Sequence, residues 1–65
     1  MVSKRDIFAT AKLLIKQHGS NAEDVATKKY FIYLKQDDVK GASVWLEIMS
    51  AINDLKMRNQ QKHLH

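Results

Sequence analysis

The sequence predicts an all-α fold, a small domain of three helices over about residues 4–18, 22–36 and 39–59 with a frayed C-terminal tail. Three observations predict it. Apolar residues recur at helical spacing in three separate stretches. The clearest is the last, where Trp45, Ile48, Met49, Ile52 and Leu55 fall at offsets of three, four, seven and ten and share one stripe. Turn-forming residues, Gly19-Ser20-Asn21 and Asp37-Asp38, stand between the stretches. Proline is absent and there are only two glycines, so little breaks a helical pattern once it starts.

A chain of 65 residues makes a single domain, 1–65, with a modest core. It has no cysteine, which excludes disulfides and thiolate metal sites as sources of stability. What remains is regular helix packing, oligomerisation, or both.

The first helix starts at Ser3, an N-cap residue. Asp6, three positions on, completes a variant of the capping box by reaching back to the Ser3 amide. Val2 and Ile7 hold the positions of a hydrophobic staple. Ile7, Phe8, Ala11, Leu14, Ile15 and His18 then trace one face, with Lys12, Lys16 and Gln17 off it. Gly19 ends the helix, because glycine takes the left-handed position at low cost.

Ser20 or Asn21 is the expected cap of the second helix, and Ser20-Asn21-Ala22-Glu23 fits the capping-box pattern. Glu23 and Asp24 lie in the first turn, where the helix dipole favours acids. Ala22, Ala26, Tyr30 and Tyr33 form the inner face, flanked by Val25 and Lys29. The run Tyr30-Phe31-Ile32-Tyr33-Leu34 taken alone reads as a β-strand, being aromatic and branched. No second strand candidate exists to pair with it, so it is read as helix. Phe31 and Ile32 then lie away from the Ala22 and Ala26 face, the most informative irregularity in the chain.

Asp37 or Asp38 caps the third helix, which Val39 and Lys40 open. Gly41 in its first turn costs about 1 kcal/mol against alanine. Its place there suggests close approach of a neighbouring helix, or a bend. The helix continues to about Asn59, with Lys56 and Arg58 complementing the dipole at its end. Gln60 to His65 lose the apolar pattern and are expected to fray.

Asp6, His18-Gly19, Ala22, Ala26, Asp38-Val39, Gly41, Trp45, Ile48 and Ala51-Ile52 together carry a resemblance. Over about residues 6–55 the chain resembles an uncharacterised family of short, mainly alphaproteobacterial proteins, a domain of unknown function. That family's pattern is an aspartate-led helix ending in His-Gly, an alanine-rich helix, then Gly-Asp-hydrophobic-X-Gly and a tryptophan-containing helix. The resemblance implies a compact helical domain and brings no activity, ligand or catalytic residue. Asp37 stands where the family has glycine, which weakens the expectation of a left-handed cap there. Phe31 and Ile32 stand where the family tends to be acidic, which implies that something covers the second helix in this member.

Residues able to do chemistry are sparse. His18, Ser20 and Asp24 are close in sequence, but their types suit capping and dipole roles better than a nucleophile with its base. His63 and His65 offer two ligands on a frayed end, too few for a specific metal site. No HExxH, EF-hand loop or P-loop occurs. The expectation is no catalytic, cofactor or metal residue, no cofactor, no small-molecule substrate and no enzyme activity.

The net charge of +4 is a mild basic bias. Lys4, Arg5, Lys12 and Lys16, the Lys28-Lys29 pair, and Lys56, Arg58 and Lys62 are possible basic clusters. A helix-turn-helix fits poorly. With Gly19 at the turn, Ile15 and Ser20 stand where a small and an apolar residue are usual, and Phe31 and Ile32 spoil a polar recognition face. Electrostatic nucleic-acid binding through Lys56, Arg58 and Lys62 is therefore the alternative reading.

The main reading follows from surplus apolar surface. The Trp45 stripe is expected to be core, since so short a chain has few other large side chains to build one from. Leu13, Phe31, Ile32, Leu46 and Met57 lie off their helices' main stripes and form a candidate protein interface. The expectation is a protein-interaction module that self-associates through the second helix or meets a larger partner. No signal peptide, membrane span or Trp-Lys-rich amphipathic helix is read, so a cytoplasmic location without membrane contact is expected.

Overall fold

The computed structural model describes residues 3–63, with side chains as far as residue 58. The described chain is all-α and contains no strand. Its elements are α1 (Lys4–His18), a 3-10 turn (Gly19–Asn21), α2 (Ala22–Lys35) and α3 (Val39–His63). The Tyr30 to Leu34 run is helical.

The count of three separate helices needs correction. Helical structure continues without a gap from Lys4 to Lys35, so α1 and α2 are two arms of one bent run and α3 is the second. Gly19 makes the bend. Its φ of 57° and ψ of −126° lie in a region nearly closed to residues with a Cβ. The Gly19 amide still donates to the Ile15 carbonyl, and the Ala22 amide donates to the Gly19 carbonyl. The chain is redirected while backbone bonding carries on.

That continuity removes the cap expected at Ser20 or Asn21. Asn21 already has near-helical angles, φ −88° and ψ −1°, and makes no side-chain capping bond. An N-cap side chain needs an extended backbone to fold back onto the first amides. Ser3 has one, with φ −86° and ψ 163°, and its Oγ accepts from the Asp6 amide at 3.3 Å. The return bond from the Ser3 amide to Asp6 is not made among the described residues. Val2 of the expected staple lies outside them.

The second connection is built differently. The Asp37 amide donates to the Leu34 carbonyl at 3.0 Å and the Asp38 amide to the Tyr33 carbonyl at 2.9 Å. This is a Schellman motif, whose C′ residue must be left-handed. Asp37 takes that position at φ 61°, so the left-handed cap forms although glycine is absent. Asp38 then caps α3, its Oδ1 accepting from the Gly41 amide at 3.0 Å.

α3 packs against both α1 and α2, which meet each other little beyond their turn. The core lies between α3 and the bent run. Its fully buried members are Ile7 and Ala11 of α1, Ala22 and Ala26 of α2, and Ile48, Ala51 and Ile52 of α3. Phe8, Leu14, Ile15, Trp45, Met49 and Leu55 are half-buried around it. His18, expected on the inner face of α1, is exposed. α3 extends to His63, four residues past its expected end. Leu64 and His65 of the expected tail lie outside the described residues.

Gly41 has a packing reason. A Cβ there would stand 2.7 Å from Cδ1 of Tyr33 and 2.8 Å from the capping Asp38 carboxylate. Of the two expectations, close approach rather than a bend accounts for it. The missing methyl lets the Tyr33 ring lie on the first turn of α3 while Asp38 caps that turn.

Candidate functional site

The five residues predicted to form an interface are all exposed. Phe31 is 54% and Ile32 47% accessible, and Leu13, Leu46 and Met57 are similar. Helical phase explains why. At 3.6 residues per turn, Phe31 lies about 140° and Ile32 about 120° round α2 from buried Ala26, on opposite sides. Leu46 lies about 160° from buried Ile48 on α3, and Met57 about 180°.

These five do not form one surface. Leu46 and Met57 are in phase with each other, on the side of α3 turned from the core. Leu13 and Phe31 project from the sides of α1 and α2 that face away from α3. The core lies between the two groups. Periodicity finds the outward residues of each helix, but not how the outward faces of different helices are oriented to one another.

Two further residues, Leu34 and Val39, are exposed and apolar but absent from the predicted set. Leu34 sits inside the aromatic run, and Val39 reads only as the opening of a helix. With them, four of the large exposed apolar side chains (Phe31, Ile32, Leu34 and Val39) fall in one short stretch across the α2–α3 connection. Phe31 also packs edge-on against the half-buried Tyr30 ring, with centroids 5.3 Å apart. That contact holds Phe31 in place while leaving much of it open. The apolar surplus is therefore densest at the C-terminal end of α2.

A groove of about 350 Å³ runs between the start of α1 and the middle of α3. Ile7, Phe8, Ala51 and Met57 supply its apolar part, and Lys4, Glu47 and Asp54 its charged rim. No group of three His, Cys, Asp or Glu side chains is placed to hold a metal ion among the described residues. His18, Ser20 and Asp24 are all exposed, and no hydrogen bond joins them among the described residues. No helix of the described residues is long and apolar enough to cross a membrane.

The basic end of α3 is partly neutralised. Lys56 Nζ lies 3.6 Å from Glu23 Oε1 on α2, and Arg58 Nη2 lies 3.2 Å from Asp54 Oδ2 one turn back. Both pairs are solvent-exposed and contribute about 0–1 kcal/mol each. The Lys62 side chain lies outside the described residues. Arg5, Lys12 and Lys16 are exposed on α1 without a carboxylate partner among the described residues.

No protein-family model, curated protein or solved structure matches this chain.

Proposed function

We propose that this chain is a small non-enzymatic protein-interaction module that self-associates through α2. The observation that carries the proposal is the exposed apolar run of Phe31, Ile32 and Leu34, spread round the end of α2, with Val39 just across the turn. Burying that cluster against a second copy removes apolar surface from water at roughly 25 cal/mol per Å². The thin core supports the same reading. Its fully buried cluster holds four alanines and three isoleucines, so a partner surface adds proportionally more than in a larger domain. The proposal places the module in the cytoplasm. Its family kinship with short bacterial helical proteins is part of the proposal too.

Sedimentation velocity tests the reading. The expected result is a concentration-dependent species larger than the monomer, reduced by Phe31→Glu. A monomer at high micromolar concentration, unchanged by that substitution, overturns it.

The nucleic-acid alternative has weaker support. Two of its three residues, Lys56 and Arg58, already face carboxylates. It predicts salt-sensitive retardation of DNA or RNA, weakened by neutralising Lys56, Arg58 and Lys62. No retardation at low salt removes it.

A further inference from the structure

The outer face of α3 carries a second pattern. Val39, Ser43, Leu46, Ser50, Asn53 and Met57 succeed one another at alternating steps of four and three. All six are exposed and none is charged. A seam with this 3.5-residue average spacing is the geometry of a two-helix coiled coil. The seam is mixed, with Val39, Leu46 and Met57 apolar and the other three small and polar. α1 and α2 pack on the other side of α3, against Ile48, Ala51 and Ile52; Ala42 and Met49 at one edge of the seam are buried and half-buried, while the six seam residues themselves stay exposed. Ser50, Asn53 and Met57 also form part of the α3 wall of the groove beside α1. A helix laid along the seam would therefore run beside that groove.

The flanking charges select both an occupant and an orientation. One flank carries Lys40, Glu47 and Asp54, seven residues apart, and the other carries Ala42, Met49 and Lys56. In a parallel pair each flank meets the opposite flank of its partner, which sets Glu47 and Asp54 against Ala42 and Met49 and makes no ion pair. In an antiparallel pair each flank meets its own kind. The register of greatest overlap sets Val39 against Met57, Ser43 against Asn53 and Leu46 against Ser50. Apolar Val39 and Met57 then meet at both ends, and Ser43 and Asn53 meet where each can hydrogen-bond the other. The same register brings Lys40 of each copy to Asp54 of the other, twice by symmetry, where it shares the carboxylate with Arg58 of the same chain, 3.2 Å away, and the two Glu47 side chains face each other near the axis.

We propose that the outer face of α3 pairs with the same face of a second copy in an antiparallel, two-fold seam, registered by Lys40 against Asp54. The seam is about 27 Å long at 1.5 Å per residue. It buries on the order of 1,000 Å² in total, which places it among weak, reversible pairs. Polar Ser43, Ser50 and Asn53 within the seam weaken it further, so charge and polar matching set the register more than apolar burial does. The seam lies on α3 and shares only Val39 with the α2 surface, so its other five positions do not depend on whether α2 pairs.

The test is run on the full chain in a Phe31→Glu background, so that α2 contributes nothing. The native sequence has no cysteine, so introduced ones are unambiguous. Mixing the Lys40→Cys and Asp54→Cys variants under mild oxidation is expected to give the mixed disulfide well ahead of either homodimer. In sedimentation equilibrium at high concentration, Lys40→Glu and Asp54→Lys are each expected to raise the dissociation constant about tenfold. The double exchange restores it, and Glu47→Gln tightens it by relieving the central repulsion. Disulfides between identical variants in preference to the mixed one, or a double exchange as weak as the singles, overturn the proposal. A chain in this background that stays monomeric at every concentration overturns it too, without touching the α2 reading.

Discussion

The two halves of α2 invert the usual relation between side-chain size and burial. In the first half the small residues are inside: Ala22 is 1% and Ala26 0% exposed. In the second half the large ones are outside, with Phe31 and Ile32 about half accessible. Both halves pack closely on α3, by opposite means. The first half brings its own small side chains to the contact. The second brings the Tyr33 ring, and the smallness is supplied by Gly41 on α3. A helix held this closely leaves its other residues nowhere to go but outward. Exposure of Phe31 and Ile32 thus follows from tight packing of the inner face.

The largest effect is expected where this packing is tightest. Ala26→Leu adds three carbons at a fully buried contact and should destabilise the fold by about 3 kcal/mol in a urea titration followed by circular dichroism. Gly41→Ala is a sharper test, because helix propensity favours it by about 1 kcal/mol. The clash with Tyr33 and the Asp38 cap should reverse the sign, giving a net loss of about 1 kcal/mol or more. Measured in a Tyr33→Ala background the loss should shrink but not vanish, since the ring contact is gone while the Asp38 carboxylate still stands 2.8 Å from the new Cβ. Next in size is Asp37→Gly at the left-handed cap, expected to stabilise by about 0.5–1 kcal/mol in thermal unfolding. Smallest is Phe31→Ala, which should change the stability of dilute monomer by less than about 0.5 kcal/mol.

Much of the fold is legible in the sequence for local reasons. Ser3 signals the start of α1 because its cap bond needs only three residues and an extended backbone. Gly19 signals the break after α1, but the chain bends there and does not stop, at angles (φ 57°, ψ −126°) other than those of the expected left-handed cap. Ala22, Ala26, Ile48 and Ile52 signal the core through helical phase. The misreadings are also local, and each has a competing cause. Ser20 and Asn21 resemble a cap, but the 3-10 turn holds Asn21 in helical angles that keep its side chain from the role. Asp37 looks unsuited to the left-handed position, yet the two Schellman bonds to Tyr33 and Leu34 hold it there. Phe31 and Ile32 betray themselves by phase. That Leu46 and Met57 face away from them does not, because it depends on how α3 crosses the bent run.

On the proposed reading, the second half of α2 is an interaction surface and the first half is core. Sedimentation velocity of the native chain and its Phe31→Glu variant, at matched high micromolar concentrations, tests it most directly. The expected result is a larger weight-average mass for the native chain, a fall toward the monomer for the variant, and helical content unchanged between them. Equal masses for the two chains would contradict it.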